Sequence, residues 1–245
     1  MNELVTEALV LRTFRVGEAD RSVVLWTPEH GRVRAIARGA RRTTSRLGGV
    51  LEVTADVTVD LVRGRGDRYV VRHVTHRSRR AVLRGDFERL GAGLLVVEAL
   101  DALPFEGPAD PAIFALGRRV LDTLDDPQYR PDLVPAAFYW RLLSLDGSEP
   151  VLDQCAECGR AGPLVAFDAA SGGGLCAACR HGASISPEAL ALLRRIAGGD
   201  LATVLREVGT PATAEVAALV HGAMEAHLGR RLRGALIVPP EVADR

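Results

Sequence analysis

The sequence contains no lysine, few aromatic residues and no long apolar run. Arginine supplies all 31 of its basic side chains, a bias typical of a GC-rich genome that carries no mechanism by itself. The best apolar candidate, GLLVVEALDAL, is interrupted by Glu98 and Asp101, so it is not expected to cross a bilayer. The opening MNELVTEALVLRTFRVGEAD mixes charged and apolar residues throughout, unlike a secretory signal peptide. These absences predict a cytoplasmic protein.

Aromatic residues make up 4% of the chain, and only Phe14, Trp26 and Tyr69 lie within the first 80 residues. We expect each of these three in a hydrophobic core rather than on a surface that stacks nucleobases. Proteins that bind single strands without sequence preference combine a basic groove with exposed aromatic side chains. The scarcity therefore argues against a tight, stacking-based binder and favours a looser electrostatic contact.

The formal net charge is zero, but the charges are divided unevenly along the chain. Residues 1–85 contain 17 arginines and nine acidic residues, a net charge of +8, and residues 86–245 carry the compensating −8. Such a division indicates two parts with different partners. The basic part suits a polyanion, and the acidic part suits protein contacts or solubility alone.

The first 80 residues show the pattern of β-strands. The clearest segment is Val53–Leu61, in which apolar and polar residues alternate strictly. Five short strands without an intervening helix predict a small β-barrel, and the OB-fold is the commonest five-stranded barrel that binds nucleic acid. Segments rich in Val, Leu and Thr, separated by Gly, Pro or charged turns, predict strands over residues 4–15, 22–27, 32–38, 53–62 and 68–76.

After Gly85 the spacing of apolar residues becomes helical. Asp86 is suited to cap a helix, and Asp110–Pro111 and Ser186–Pro187 predict two further helix starts. Other helices are expected over about 131–147 and 211–232.

All four cysteines lie in two C-x2-C pairs separated by seventeen residues: Cys155 with Cys158, and Cys176 with Cys179. Each pair offers two thiolates to one ion, so the spacing predicts a structural, tetrahedral Zn²⁺ site. A site with four thiolate ligands is closed and is not suited to catalysis. The alternatives are two redox or adventitious thiol pairs, although no thioredoxin-type βαβ unit is evident, and a site in which His181 replaces one cysteine.

These patterns together predict an α+β, multidomain protein, in which a five-stranded OB-fold barrel precedes an all-helical domain that carries the zinc module. The barrel is expected at residues 1–80 and the helical domain at 81–151 and 181–245. The zinc-binding insert is expected at 152–180.

Arginines are concentrated in one predicted strand and in the loop after it. The strand over 32–38 projects three arginines and Ile36 to one face, and the Gly-bounded loop over 39–49 adds three arginines and three hydroxyl groups. Guanidinium and hydroxyl groups both bond to phosphate oxygens, so this cluster favours phosphate binding over the alternative of a soluble barrel face with a mobile loop. The six arginines are Arg32, Arg34, Arg38, Arg41, Arg42 and Arg46.

Several segments resemble the RecO family of bacterial DNA repair proteins, in order along nearly the whole chain. The cysteine pairs match the zinc module of that family, embedded in a helical domain. The closing HLGRRLR resembles its carboxy-terminal helix. Segments that resemble its amino-terminal OB-fold are Ala8–Arg12, Gly17–Arg21, Leu25–Gly31, Ala37–Arg42 and Ser45–Arg46.

The resemblance implies a non-enzymatic recombination mediator that binds single- and double-stranded DNA and anneals complementary strands. It also implies that the protein, with the partner RecR, helps load RecA onto strands coated by single-stranded-DNA-binding protein, in the nucleoid. The zinc would be structural, with ligands Cys155, Cys158, Cys176 and Cys179. Carried over by position, the DNA contacts would be Arg34, Arg38, Arg41, Arg42 and Arg46.

Three rival interpretations follow from the same residues. The first is a dithiol oxidoreductase that uses Cys155 and Cys158, and the second is a zinc-ribbon nucleic-acid-binding factor without annealing activity. The third is a structural protein that binds other proteins, for which substitution of Arg41 and Arg42 would leave DNA affinity unchanged.

Overall fold

A computed structural model describes residues 3–64, 68–104 and 109–233 of the chain. The chain forms two compact units. The first unit ends at Asp125 and takes in Arg233, and the second spans Asp126–Leu232. The first three helices therefore group with the barrel. The functional domains expected from the sequence stay a prediction, because compactness alone does not define them.

The first unit is built around a closed barrel with the strand order β1-β2-β3-β5-β4. All neighbouring strands are antiparallel except β3 and β5, which are parallel. The first half of β1 pairs with β4 and its second half with β2, and this double pairing closes the barrel. The predicted five-stranded barrel is thus confirmed. The strands are β1 Glu3–Val16, β2 Asp20–Thr27, β3 Gly31–Ala37, β4 Asp56–Arg63 and β5 Tyr69–Ser78.

The barrel core follows from the period of two along each strand. Val57, Val59 and Leu61 of β4 are completely buried inside the barrel, as the alternation in the sequence predicted. The opposite face of β2 carries Val24 and Trp26, which are also buried. Helices pack on this outer side of the first two strands, so the barrel is covered there rather than exposed to solvent.

Among its described residues, the first unit also contains three helices: α1 Ala81–Gly85, α2 Phe87–Ala102 and α3 Pro111–Asp125. The side chain of Asp86 accepts a hydrogen bond from the backbone N–H of Arg89, so the predicted cap of α2 is confirmed. The sequence pattern did not reveal α1, because a helix of five residues is too short to show a period.

A buried arginine joins the barrel to these helices. Arg80 is only 1% exposed, and its guanidinium donates to the carbonyl of Thr54 at 2.6 Å and to Asp122 Oδ1 at 2.8 Å. Asp56 Oδ2 lies 3.7 Å from Arg80 Nη2 and 3.2 Å from Arg118 Nε. Desolvation raises the pKa of the Asp56 carboxyl, and the neighbouring guanidinium groups oppose that rise. The cluster places opposite charges together where water is excluded.

Substitution of Arg80 by methionine is expected to destabilise the protein. The variant keeps most of the side-chain volume, but it leaves the Thr54 carbonyl without its donor and removes one of the guanidinium groups beside the buried Asp56 carboxylate. Leaving a buried acceptor without a hydrogen bond costs about 1–3 kcal/mol of the free energy of unfolding, and urea denaturation measures that loss. Arg79→Met is the control, since Arg79 is exposed. Equal stability of the two variants would contradict a structural role for Arg80.

The second unit contains four helices and a small sheet. Helix α7 packs against α4 and α5, and Ser186 caps α5 by accepting the N–H of Ala189, as predicted. The elements are α4 Val134–Leu145, β6 Leu164–Asp168, β7 Gly173–Cys176, β8 Ala183–Ser184, α5 Pro187–Ala197, α6 Leu201–Val204 and α7 Pro211–Leu228. None of the helices within the described ranges is long and apolar enough to span a membrane.

Two features of the second unit differ from the sequence expectation. The last helix was expected to reach residue 232, but Gly229 ends it with a left-handed φ of 61°. Strands β6, β7 and β8 form a three-stranded sheet in the order β7-β6-β8, in the stretch of chain between α4 and α5. Strands of two to five residues, one of them rich in glycine, are too short to show an alternating pattern.

Candidate functional site

The four cysteines converge on one point in the second unit. Their sulfur atoms all lie within 4.8 Å of one another, and Cys158 Sγ lies 3.8 Å from Cys176 Sγ. A disulfide requires an S–S distance of about 2.05 Å, so these thiols are not bonded to each other. Four sulfurs at about 2.3 Å from a tetrahedral ion are separated by about 3.8 Å. The donor set and its spacing fit a metal ion.

Tight turns and the small sheet bring the two pairs together. The N–H of Gly159 donates to the carbonyl of Cys155 at 2.9 Å, and the N–H of Cys179 donates to that of Cys176 at 3.1 Å. The backbone of Ala156 bonds to Gly174 in β7, the strand that ends at Cys176. The sheet therefore fixes the first turn beside the second one.

Hydrogen bonds around the cluster shift the pKa values of the cysteine thiols in opposite directions. The backbone N–H of Cys176 lowers the pKa of the Cys155 thiol to about 6, and that of Cys179 lowers the pKa of Cys176. Hydrogen bonding with the Cys158 side chain raises the pKa of Cys179. Four neighbouring thiolates repel one another, and a bound cation removes that repulsion because it binds the deprotonated form of each thiol.

His181 is not brought into the sulfur cluster. Its Nδ1 lies 2.9 Å from the carbonyl of Cys179, and its Nε2 lies 2.9 Å from the hydroxyl of Ser171. Both ring nitrogens are therefore engaged by other polar groups. Within the described ranges, the four cysteines are the group that could hold a metal ion, without the histidine.

A second candidate site lies on the barrel and consists of five arginines, which we call the arginine face. Along β3, Val33, Ala35 and Ala37 are buried inside the barrel and Arg34 is exposed, which confirms the predicted alternation. All five members are exposed at the surface. The arginine face comprises Arg34, Arg38, Arg41, Arg42 and Arg46.

The loop that carries three of these arginines is held against the turn between β1 and β2. The backbone N–H of Gly39 donates to Asp20 Oδ1 at 2.8 Å, and Gly39 adopts a left-handed φ of 63°. The N–H of Arg41 donates to the carbonyl of Ala19 at 2.9 Å, and its side chain donates to the carbonyl of Gly17 at 3.0 Å. The loop thus has a defined position beside β1 and β2.

The arginine face differs from the arginines that join the barrel to its helices in its lack of counter-charges. Arg12 and Arg32 both pair with Asp101, at 3.0 and 3.4 Å, and Arg80 pairs with Asp122 at 2.8 Å. Among the residues that the structure describes, no carboxylate forms an ion pair with any of the five arginines of the face. This group of positive charges is therefore available to an external anion.

Phe14 is a surface residue that the sequence interpretation placed wrongly. Trp26 is buried and Tyr69 packs partly buried against the barrel core, as expected, but Phe14 is 45% exposed. The error has a geometric reason, because residues 12–16 of β1 extend beyond its pairing with β4 and pair with β2 alone. An alternating pattern does not reveal where a strand leaves the barrel wall.

Comparisons with known proteins agree along the chain. The family model described as "Recombination protein O N terminal" matches residues 1–81, and "Recombination protein O C terminal" matches residues 84–235. A DNA repair protein RecO of Cutibacterium acnes is 36% identical over 235 residues, which cover 93% of this chain and 95% of that protein. A DNA repair protein RecO of Streptomyces coelicolor is 36% identical over 238 residues, with the same coverage.

The geometry of the sulfur cluster predicts that the purified protein holds one metal ion. Its thiols should then react with a disulfide reagent only after a chelator has removed the metal. Cys176→Ser should lower the metal content measured by mass spectrometry, because it removes a buried ligand, whereas His181→Ala should retain the metal. Immediate reaction of all four thiols without a chelator would contradict a metal site and favour the dithiol interpretation.

Proposed function

Because the chain belongs to the RecO family of DNA repair proteins, we propose that it is a non-enzymatic recombination mediator that binds single- and double-stranded DNA. The observation that carries this proposal is the arginine face. Its five exposed guanidinium groups form no ion pair with a described carboxylate. A guanidinium group can donate two parallel hydrogen bonds to two oxygens of one phosphate. Contacts of this kind are independent of base sequence and weaken as salt rises.

Strand annealing follows from the same chemistry. Two complementary strands repel each other through their phosphates, and a protein that neutralises both lowers this barrier. The bases must also stay accessible for pairing. A surface with many arginines and few aromatic side chains meets both requirements, since it holds the backbone and leaves most of the base surface free.

The proposed partners follow from membership of the family. With RecR, the protein would help load RecA onto DNA that is coated by single-stranded-DNA-binding protein, in the cytoplasm at the nucleoid. We keep the assignment of domains that was predicted from the sequence. In it, residues 1–80 bind DNA and residues 152–180 bind the metal. Residues 81–151 and 181–245 form the helical domain.

We assign Zn²⁺ as the metal of the sulfur cluster, since four thiolates in tetrahedral spacing are the usual ligand set of a structural zinc. Cys155 and Cys158 from one turn, and Cys176 and Cys179 from the other, would hold it. The ion would cross-link the two turns. With four protein ligands, the site keeps no open position for a substrate.

One further observation supports the alternative of a zinc-ribbon nucleic-acid-binding factor without annealing activity. The second cysteine turn follows β7 of a three-stranded sheet and the first is hydrogen-bonded to that strand, and small zinc ribbons have a similar ligand arrangement. In that case nucleic acid would bind without faster pairing of complementary strands.

The annealing rate of two complementary, fluorophore-labelled DNA strands tests the proposal. We expect the protein to accelerate annealing at low salt and less at moderate salt, and we expect Arg41→Ala with Arg42→Ala to abolish the acceleration. Arg72→Ala with Arg206→Ala is the matched control, because it removes two exposed arginines elsewhere. Tight binding without annealing would favour the zinc-ribbon alternative, and no binding to any DNA would contradict the proposal.

A further inference from the structure

Phe14 is exposed and contacts an arginine that pairs with a carboxylate. The guanidinium carbon of Arg12 lies 4.9 Å from the centre of the Phe14 ring, and Arg12 Nη1 also pairs with Asp101 Oδ2 at 3.0 Å. The aspartate thus anchors the guanidinium, and the guanidinium lies over one side of the ring. The residue nevertheless remains 45% exposed, so Phe14 is a large apolar side chain at the surface.

The strand register places this ring on the same face of the sheet as Arg34. Phe14 of β1 lies opposite Ser22 of β2, and Ser22 lies opposite Ile36 of β3. Residues directly opposite each other point to the same face, so the three side chains form one row across the strands. Arg34 lies two residues before Ile36 on β3 and therefore shares that face.

The row spans two strand spacings. Adjacent strands are about 4.8 Å apart, so the backbones at Phe14 and Ile36 are about 10 Å apart. Between them lies Ser22, whose small side chain leaves the surface shallow. Three residues after Phe14, in the turn between β1 and β2, the carbonyl of Gly17 accepts a hydrogen bond from the side chain of Arg41 at 3.0 Å. The end of β1 that carries Phe14 therefore leads into a turn that the loop contacts, and Phe14 shares its face of the sheet with Arg34.

From this placement we infer that Phe14 stacks on a base of single-stranded DNA whose phosphates bind the arginine face. The inference rests on the proposed function and extends it, since the arginines alone recognise only the backbone. A flat aromatic ring binds any base through its π-face, which is available in a single strand and occupied by neighbouring bases in a duplex. The residue therefore gives the barrel a preference for unpaired DNA.

The inference is tested with two ligands of equal length and equal charge, oligothymidylate and the corresponding abasic oligonucleotide. Phe14→Ala should weaken binding to oligothymidylate at least about fivefold, the lower limit for removal of one stacked base. Binding to the abasic strand and to duplex DNA should be unchanged. Phe14→Trp should keep the affinity for oligothymidylate, and its indole fluorescence should be quenched when the strand binds.

Phe14→Leu is the matched control, because it keeps an apolar side chain and removes the aromatic ring. If the Leu or the Ala variant binds oligothymidylate as tightly as the unsubstituted protein does, the stacking inference is overturned. An equal weakening on the abasic strand would also overturn it, since no base is present there. If the unsubstituted protein binds neither ligand, the proposed function itself fails. If it binds both and Phe14→Ala changes nothing, only the stacking inference fails.

Discussion

A guanidinium group that is removed from water needs a carboxylate beside it, and this requirement shapes the first unit. Arg80 is buried where the barrel meets its helices, and Asp56 and Asp122 lie beside it. Asp101 of α2 also pairs with Arg12 and Arg32 on the outer wall of the barrel, where Arg12 stays partly exposed and Arg32 is more buried. These carboxylates are therefore engaged where helices cover the strands, and the pairs join the helices to the barrel wall.

The same distribution of charge leaves the arginine face without carboxylate partners among the described residues. Its members lie on β3 and on the loop beside the turn between β1 and β2, where the nearby carboxylate of Asp20 accepts the backbone N–H of Gly39. Arg12, Arg32 and Arg80 are thus engaged in ion pairs, whereas the five arginines of the face are not. These five exposed charges are the basis of the proposed phosphate binding by the barrel, although the whole chain has no net charge.

Features with a local cause could be predicted from the sequence. The alternation in Val53–Leu61 predicted a barrel strand, Asp86 predicted a helix cap, and the spacing of the cysteine pairs predicted one converging cluster. Features that depend on distant contacts could not be predicted. Arg80 was indistinguishable from an exposed arginine, because Asp122 is 42 residues away along the chain. Phe14 matched a core position, because its exposure depends on where β1 leaves its pairing with β4.

The most direct test of the central claim is the salt dependence of the affinity for single-stranded DNA. If the arginine face binds phosphates, replacement of its five arginines by serine should reduce the slope of log Kobs against log salt by about 0.7 for each phosphate that is no longer bound, or about 3.5 in all. A control that removes five exposed arginines elsewhere should leave the slope nearly unchanged; it replaces Arg72, Arg119, Arg141, Arg206 and Arg231. A reduction of about 3.5 in the first variant alone would support phosphate binding by the face. An unchanged slope in that variant, or an equal reduction in both, would contradict it.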